Sequence, residues 1–140
     1  MSFFGNKFVA IREHYKTGLI FKMHSVLVVD DDADLLEMVD LALSFHGFKI
    51  TTIAGGAFFF DTIATVKPDI ILLDVFLGDS DGRNLCQNLK TGSEYHDIPV
   101  ILYSAGNISA SSIQQSGANA FVSKPFDLKQ LAEKIKTLVK

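Results

Sequence analysis

The stretch Ile70-Ile-Leu-Leu-Asp74 does most to limit how this chain can fold. Four apolar residues run into one carboxylate, and Val75-Phe-Leu-Gly-Asp-Ser-Asp-Gly82 then breaks into turn chemistry. A short, unbroken apolar run between turn signals reads as a strand buried on both faces, as parallel sheets require. Asp74 therefore stands where a buried strand meets solvent. In open α/β sheets that carboxyl edge is where ligands bind.

Similar runs recur along the chain. Ser25-Val-Leu-Val-Val29 reads as the first strand and ends in Asp30-Asp31-Asp32. Leu35, Val39 and Leu43 then repeat every four residues, with Leu36 and Ala42 beside them, as one face of a helix that stops at Gly47. The acidic triplet supplies that helix with a cap and suits its dipole. Phe48–Ile53 reads as the second strand, and Gly55-Gly56 as the opening of a helix reaching about Val66. A third helix starts at Gly82 and ends near Gly92, a fourth strand covers Val100–Tyr103, and a serine-rich helix covers roughly Ile108–Ser116. Ala120–Ser123 is the fifth strand, before a last helix over about Asp127–Val139. Strands alternating with helical patterns of this length imply right-handed βαβ units. The predicted fold is α/β, a doubly wound five-stranded parallel sheet of flavodoxin-like order 2-1-3-4-5 with helices on both faces.

In that order the first and third strands are neighbours, so Asp30, Asp31 and Asp74 converge. Unit charges about 4 Å apart at an effective dielectric near 20 repel by on the order of 4 kcal/mol per pair. A divalent cation removes the conflict, and carboxylate oxygens suit Mg²⁺. Helix capping is the alternative use of the triplet, but one Asp suffices for a cap. Ser104 and Lys124 follow the fourth and fifth strands and bring a hydroxyl and an ammonium to the same edge. Pro125 biases Lys124 toward extended backbone, in line with its strand. Taken singly, Ser104 reads as a turn residue and Lys124 as a surface charge. Together they suit phosphoryl transfer, with Asp74 as nucleophile and Lys124 and a metal neutralising the phosphoryl oxygens.

The chain's 140 residues suffice for one domain with a substantial core. The net charge of −3 argues against a general nucleic-acid binder. One cysteine, Cys86, leaves no internal disulfide and fits a reducing compartment. No apolar run reaches the roughly 20 residues of a membrane span, and no secretory signal pattern is present. Residues 1–22 carry Lys7, Arg12, Lys16 and Lys22 against Glu13 alone, whereas the remainder is acidic. Phe4, Phe8, Ile11 and Tyr15 fall at helical spacing there, which fits a basic amphipathic helix meeting a membrane surface or a partner. The preferred reading is a disordered extension, or a chain whose true start is Met23. In Phe58-Phe59-Phe60 three consecutive helical residues cannot all face inward. A wide apolar helix face is preferred over a partner surface there.

Four ordered motifs carry a resemblance. They are Val26-Leu-Val-Val-Asp-Asp31, Pro68-Asp-Ile-Ile-Leu-Leu-Asp74 with Asp81-Gly82, Ile98-Pro-Val-Ile-Leu-Tyr-Ser-Ala105, and Gly117-Ala118 through Lys124-Pro-Phe126. Over about residues 24–139 the chain resembles the receiver domain of two-component response regulators. The resemblance implies that residues 23–140 form the domain and that Asp74 is the phospho-acceptor. It implies Mg²⁺ held by Asp30, Asp31, Asp74 and the backbone carbonyl of Phe76, with Asp31 the more direct ligand of the acidic pair. Ser104 corresponds to the switch hydroxyl, Phe121 to the switch aromatic and Lys124 to the phosphate-contacting lysine. The implied phosphoryl donor is a phosphohistidine on a sensor kinase or a phosphotransfer protein. The implied role is cytoplasmic signalling rather than enzymatic turnover beyond the domain's own phosphorylation and dephosphorylation. The expected output is contact with a downstream protein, or a homodimer, through the face of helix 4, strand 5 and helix 5. Because Lys140 closely follows the last helix, a stand-alone module without a DNA-binding domain is expected. Two departures from the family pattern are Gly78, where proline is usual, and Phe121, where tyrosine is common. The alternatives are a Mg²⁺-dependent phosphohydrolase, disfavoured by Phe76 where that class carries a second Asp, and a pseudo-receiver scaffold.

Overall fold

The computed structural model describes residues 23–139. The readings made for residues 1–22 lie outside the described residues. Five strands are present: β1 Ser25–Val29, β2 Lys49–Ile53, β3 Ile70–Asp74, β4 Val100–Ser104 and β5 Ala120–Ser123. They alternate with α1 Ala33–Phe45, α2 Phe59–Val66, α3 Gly82–Gly92, α4 Ala110–Ser116 and α5 Leu128–Leu138. All pairings are parallel and the order is β2-β1-β3-β4-β5, as the pattern of runs predicts.

Every residue of β3 and β4 is buried, because helices cover both faces of the sheet. Val26, Val28, Ile70, Leu72 and Ile101 point to one face, where they meet Leu36, Val39 and Leu43 of α1 and Leu131 and Ile135 of α5. Leu27, Val29, Ile71, Leu73 and Leu102 point to the other and meet Phe59, Ile63, Cys86 and Leu89. Each fully buried aliphatic side chain contributes about 1.5–3 kcal/mol. Asp32, Asp81, Ser109 and Asp127 cap α1, α3, α4 and α5 through side-chain oxygens that accept backbone N–H groups.

Four boundaries differ from the sequence expectation, the smallest being that of β2, which begins at Lys49 and not at Phe48. Helix α2 begins at Phe59 and not at Gly55-Gly56. The N–H groups of Gly56 and Ala57 instead donate to the Asp79 carboxylate at 3.0 and 3.2 Å, which fixes a turn before the helix. Helix α4 begins at Ala110, where the Ser109 hydroxyl accepts from Ser112 N–H. Ser104 is the last residue of β4, not a turn residue after it. Of the three phenylalanines only Phe59 enters the core, while Phe58 is 69% exposed and Phe60 39%, so the apolar face is narrower than expected.

Candidate functional site

The register of the sheet brings the strand ends together. Val29 of β1 lies beside Leu73 of β3, and Asp74 lies beside Tyr103 of β4. Asp30 therefore leaves β1 next to Asp74, and both are buried, at 0% and 4% exposure. The N–H of Lys124 donates to Ser104 O at 2.9 Å, extending the β4–β5 pairing to the edge. From there the Lys124 ammonium reaches Asp30 Oδ2 at 3.1 Å and Asp74 Oδ2 at 3.3 Å. One cation thus bridges two buried acids.

Backbone donors hold the other oxygens. Asp32 N–H donates to Asp30 Oδ1 at 2.8 Å, and Phe76 N–H donates to Asp74 Oδ1 at 3.2 Å. Asp31 is exposed, but one of its oxygens lies within 4.8 Å of one each from Asp30 and Asp74. Octahedral Mg²⁺ with metal–oxygen bonds of about 2.1 Å sets its ligand oxygens roughly 3–4 Å apart, so small side-chain adjustments bring the cluster into range. No hydrogen bond among the described residues takes the carbonyl oxygen of Phe76, a residue that is 55% exposed. Asp32 serves as the α1 cap, and its oxygen accepts from Asp34 and Leu35.

The neighbours fix this geometry closely. Helix α3 starts against Asp74: a Cβ at Gly82 would stand 2.1 Å from the Asp74 carbonyl oxygen, so only glycine fits. Gly78 has φ +78°, which the proline usual at this position could not adopt. Ser104 is fully buried, and its Oγ accepts Gly106 N–H at 3.1 Å; no hydrogen bond joins it to Asp74. Phe121 pairs with Leu102 and packs half-buried on the α2–α3 side of the sheet. The structure thus gathers Asp30, Asp31, Asp74 and Lys124, and leaves Ser104 and Phe121 adjoining but not in hydrogen-bond contact.

One residue at this edge is absent from the sequence expectation. The Tyr103 hydroxyl donates to Asp30 Oδ2 at 2.9 Å, and the Lys124 ammonium lies 5.0 Å from the Tyr103 ring centroid. A tyrosine in place of an aliphatic residue in a strand buried on both faces was the available signal, since a buried hydroxyl needs a partner.

The electrostatics follow from burial. Desolvation and then the Asp30 charge push the Asp74 carboxyl above the usual carboxylate range, against the opposing pull of Lys124 and Phe76 N–H. Burial works against the Lys124 ammonium, but the hydrogen bond and charge of Asp30, with those of Asp74, outweigh it and raise its pKa. Burial and the Asp30 carboxylate raise Tyr103 far above an ordinary phenol, so its proton stays available to donate. An acid with two partly engaged oxygens, an adjoining cation and two neighbouring acids can accept an electrophile while a divalent ion shares the load.

A family model described as the response regulator receiver domain matches residues 26–136. The transcriptional regulatory protein GltR of Pseudomonas aeruginosa is 30% identical over 118 residues, which are 83% of this chain and 49% of GltR. The DNA-binding response regulator MtrA of Mycolicibacterium paratuberculosis is 31% identical over 79% of this chain and 49% of its own length. The chain thus spans about half the length of these relatives. Among solved structures, the signal receiver domain of a DNA-binding response regulator from Colwellia psychrerythraea superposes with TM-score 0.75 at 28% identity, covering 82% of this chain and 97% of that one. The chemotaxis response regulator CheY4 of Vibrio cholerae shares the fold, with TM-score 0.77 at 22% identity over 84% of this chain and 100% of its own. Among the described residues no helix is long and apolar enough to cross a membrane.

Proposed function

The chain belongs to the response regulator receiver domain family of two-component signalling, and from that premise we propose that Asp74 is its phospho-acceptor. In this reading residues 23–140 are the receiver domain, and residues 1–22 take no part in the chemistry. The donor is a phosphohistidine of a sensor kinase or a phosphotransfer protein in the cytoplasm. The observation that carries the reading is the Lys124 ammonium, held within 3.1 Å of Asp30 Oδ2 and 3.3 Å of Asp74 Oδ2 at the end of a buried strand.

An Asp74 oxygen attacks phosphorus, the P–O bond forms as the P–N bond breaks, and the electron pair leaves with the histidine ring. Lys124 is placed to move from Asp74 onto a phosphoryl oxygen. Phe76 N–H, now on Asp74 Oδ1, steadies the carboxylate at the required angle. Asp30, Asp31, Asp74 and the Phe76 carbonyl would hold Mg²⁺. When bound, that ion supplies charge neutralisation for the phosphoryl oxygens. The clustered carboxylate oxygens fit such an ion and, among the described residues, have only one ammonium, Lys124, hydrogen-bonded among them.

The product adds about −1.5 to −2 charges at the edge. Ser104 then exchanges Gly106 N–H for a phosphoryl oxygen, and Phe121 shifts inward. The α4–β5–α5 face repacks, and a downstream protein or a second copy of the chain reads the change.

Incubation with acetyl phosphate and Mg²⁺, followed by intact mass, tests the assignment. The expected result is a gain of one phosphate that EDTA abolishes and that Asp74→Asn loses. Equal phosphate gain by Asp74→Asn overturns the acceptor assignment. Turnover of a generic phosphate ester would point to a phosphohydrolase, and no gain at all to a binding scaffold.

A further inference from the structure

Tyr103 occupies a position that its neighbours do not explain. It lies 2% exposed in the apolar layer of Val26, Val28 and Leu131, with its ring edge-on to Phe126 at 5.6 Å. An aliphatic side chain would complete that layer without a hydroxyl to satisfy. The hydroxyl has one proton and two acceptors in reach, Asp30 Oδ2 at 2.9 Å and Val29 O at 3.3 Å. The shorter, charged acceptor wins.

Asp30 is fully buried, so its carboxylate depends on three donors: Asp32 N–H on Oδ1, and Tyr103 and Lys124 on Oδ2. One of the three is mobile in the proposed chemistry, because Lys124 must turn toward the phosphoryl group. We propose that Tyr103 is a positioning residue, whose hydroxyl keeps the Asp30 carboxylate aimed at the cation site when Lys124 departs. The inference rests on the reading of Asp30 as part of a Mg²⁺ site, and it adds a residue whose strand position alone suggests only core packing.

The test is a double-mutant cycle on Mg²⁺ affinity of the unphosphorylated protein, read by titration calorimetry. Tyr103→Phe removes the hydroxyl and keeps the ring. The dissociation constant is expected to rise about fivefold, within the range for the net worth of one ordinary hydrogen bond. In a Lys124→Ala background, where the hydroxyl is the last side-chain donor on Oδ2, the factor is expected to exceed tenfold. The Asp32 amide proton, read by NMR without metal, should move upfield in Tyr103→Phe as the Asp30 carboxylate loosens, while the melting temperature shifts by no more than a few degrees.

Affinity unchanged within twofold in both backgrounds makes Tyr103 a satisfied core residue and overturns the proposal. Tighter Mg²⁺ binding by Tyr103→Phe overturns it too, by showing that the hydroxyl competes with the cation. So do equal factors in the two backgrounds, or no Mg²⁺ binding by the parent protein. Because no phosphoryl donor is present, this inference can fail while Asp74 still gains phosphate, and the acceptor reading can fail while the cycle holds.

Discussion

The β1–β3 pair carries aspartate at both ends, one residue at the amino end and two facing residues at the carboxyl end, and the two ends use it in opposite ways. At the amino end Asp69 Oδ2 accepts Ser25 N–H at 2.8 Å, while Asp69 N–H donates to Ser25 O at 2.8 Å. That acid stitches one strand to the next and keeps partial access to water. At the carboxyl end Asp30 and Asp74 face each other out of water, with Lys124 between them. Like charges at low exposure are costly unless paired. The same side chain on the same strand pair therefore stabilises at one end and stores unfavourable charge at the other. What separates the two is whether a second acid faces the first, and that follows from the order of the strands.

Removing the shared cation should break the balance most. Lys124→Met leaves two buried carboxylates without their cation and is expected to cost about 3 kcal/mol at neutral pH, by urea denaturation. Adding Asp74→Asn should recover most of that loss, because the repulsion has only one partner left. If the single variant loses less than about 1 kcal/mol, the lysine is not what holds the acids together. The pH sign is fixed by the raised pKa of Asp74. The folded state binds this proton more readily than the unfolded chain does. The resulting stabilisation is therefore present at low pH and disappears as pH rises from the unfolded pKa through the folded one.

The other end should respond through stability alone. Asp69→Ala deprives Ser25 N–H of its acceptor and is expected to cost about 1–2 kcal/mol. Phosphate gain from acetyl phosphate, scaled to the folded fraction, should stay within twofold of the parent. A large loss of phosphate uptake would show that the two ends are coupled and that the division between them is wrong.

The sequence disclosed which charged residues gather at the carboxyl edge for a physical reason. Buried parallel strands are unbroken apolar runs, so Asp30, Asp74 and Lys124 stand out as the first charges after each, and the strand order then brings those ends together. The same burial hid Tyr103. In a strand covered on both faces the period-2 pattern vanishes, so nothing local shows which face the tyrosine takes or that its hydroxyl meets Asp30. The start of α2 was hidden for a different reason. Its preceding turn is held by Asp79, more than twenty residues away, and local turn chemistry carries no trace of that contact.

Asp81 supplies the smallest effect and the clearest contrast with Asp74. It caps α3, accepting Arg83 N–H at 2.8 Å, and its two oxygens take the Arg83 guanidinium at 3.0 and 2.7 Å. Those hydrogen bonds hold the Asp81 carboxyl below the usual range, where burial and Asp30 hold Asp74 above it. Its contribution therefore has the opposite sign. It is present above the unfolded pKa of about 3.9 and disappears as pH falls through the lower folded value. The pair is near the surface, so Arg83→Met is expected to cost only about 0.5 kcal/mol at neutral pH. The gap between parent and variant, followed by thermal melts, should close as pH falls below the carboxylate range. Arg83 also lies 5.9 Å from the Phe76 ring centroid, a contact that acid leaves intact. Arg83 Nη1 also donates to Ser112 Oγ at 3.3 Å, so a gap that persists in acid would assign the role of Arg83 to the Phe76 ring or to Ser112, and the half-buried cap would no longer be an electrostatic counterpart of the buried edge.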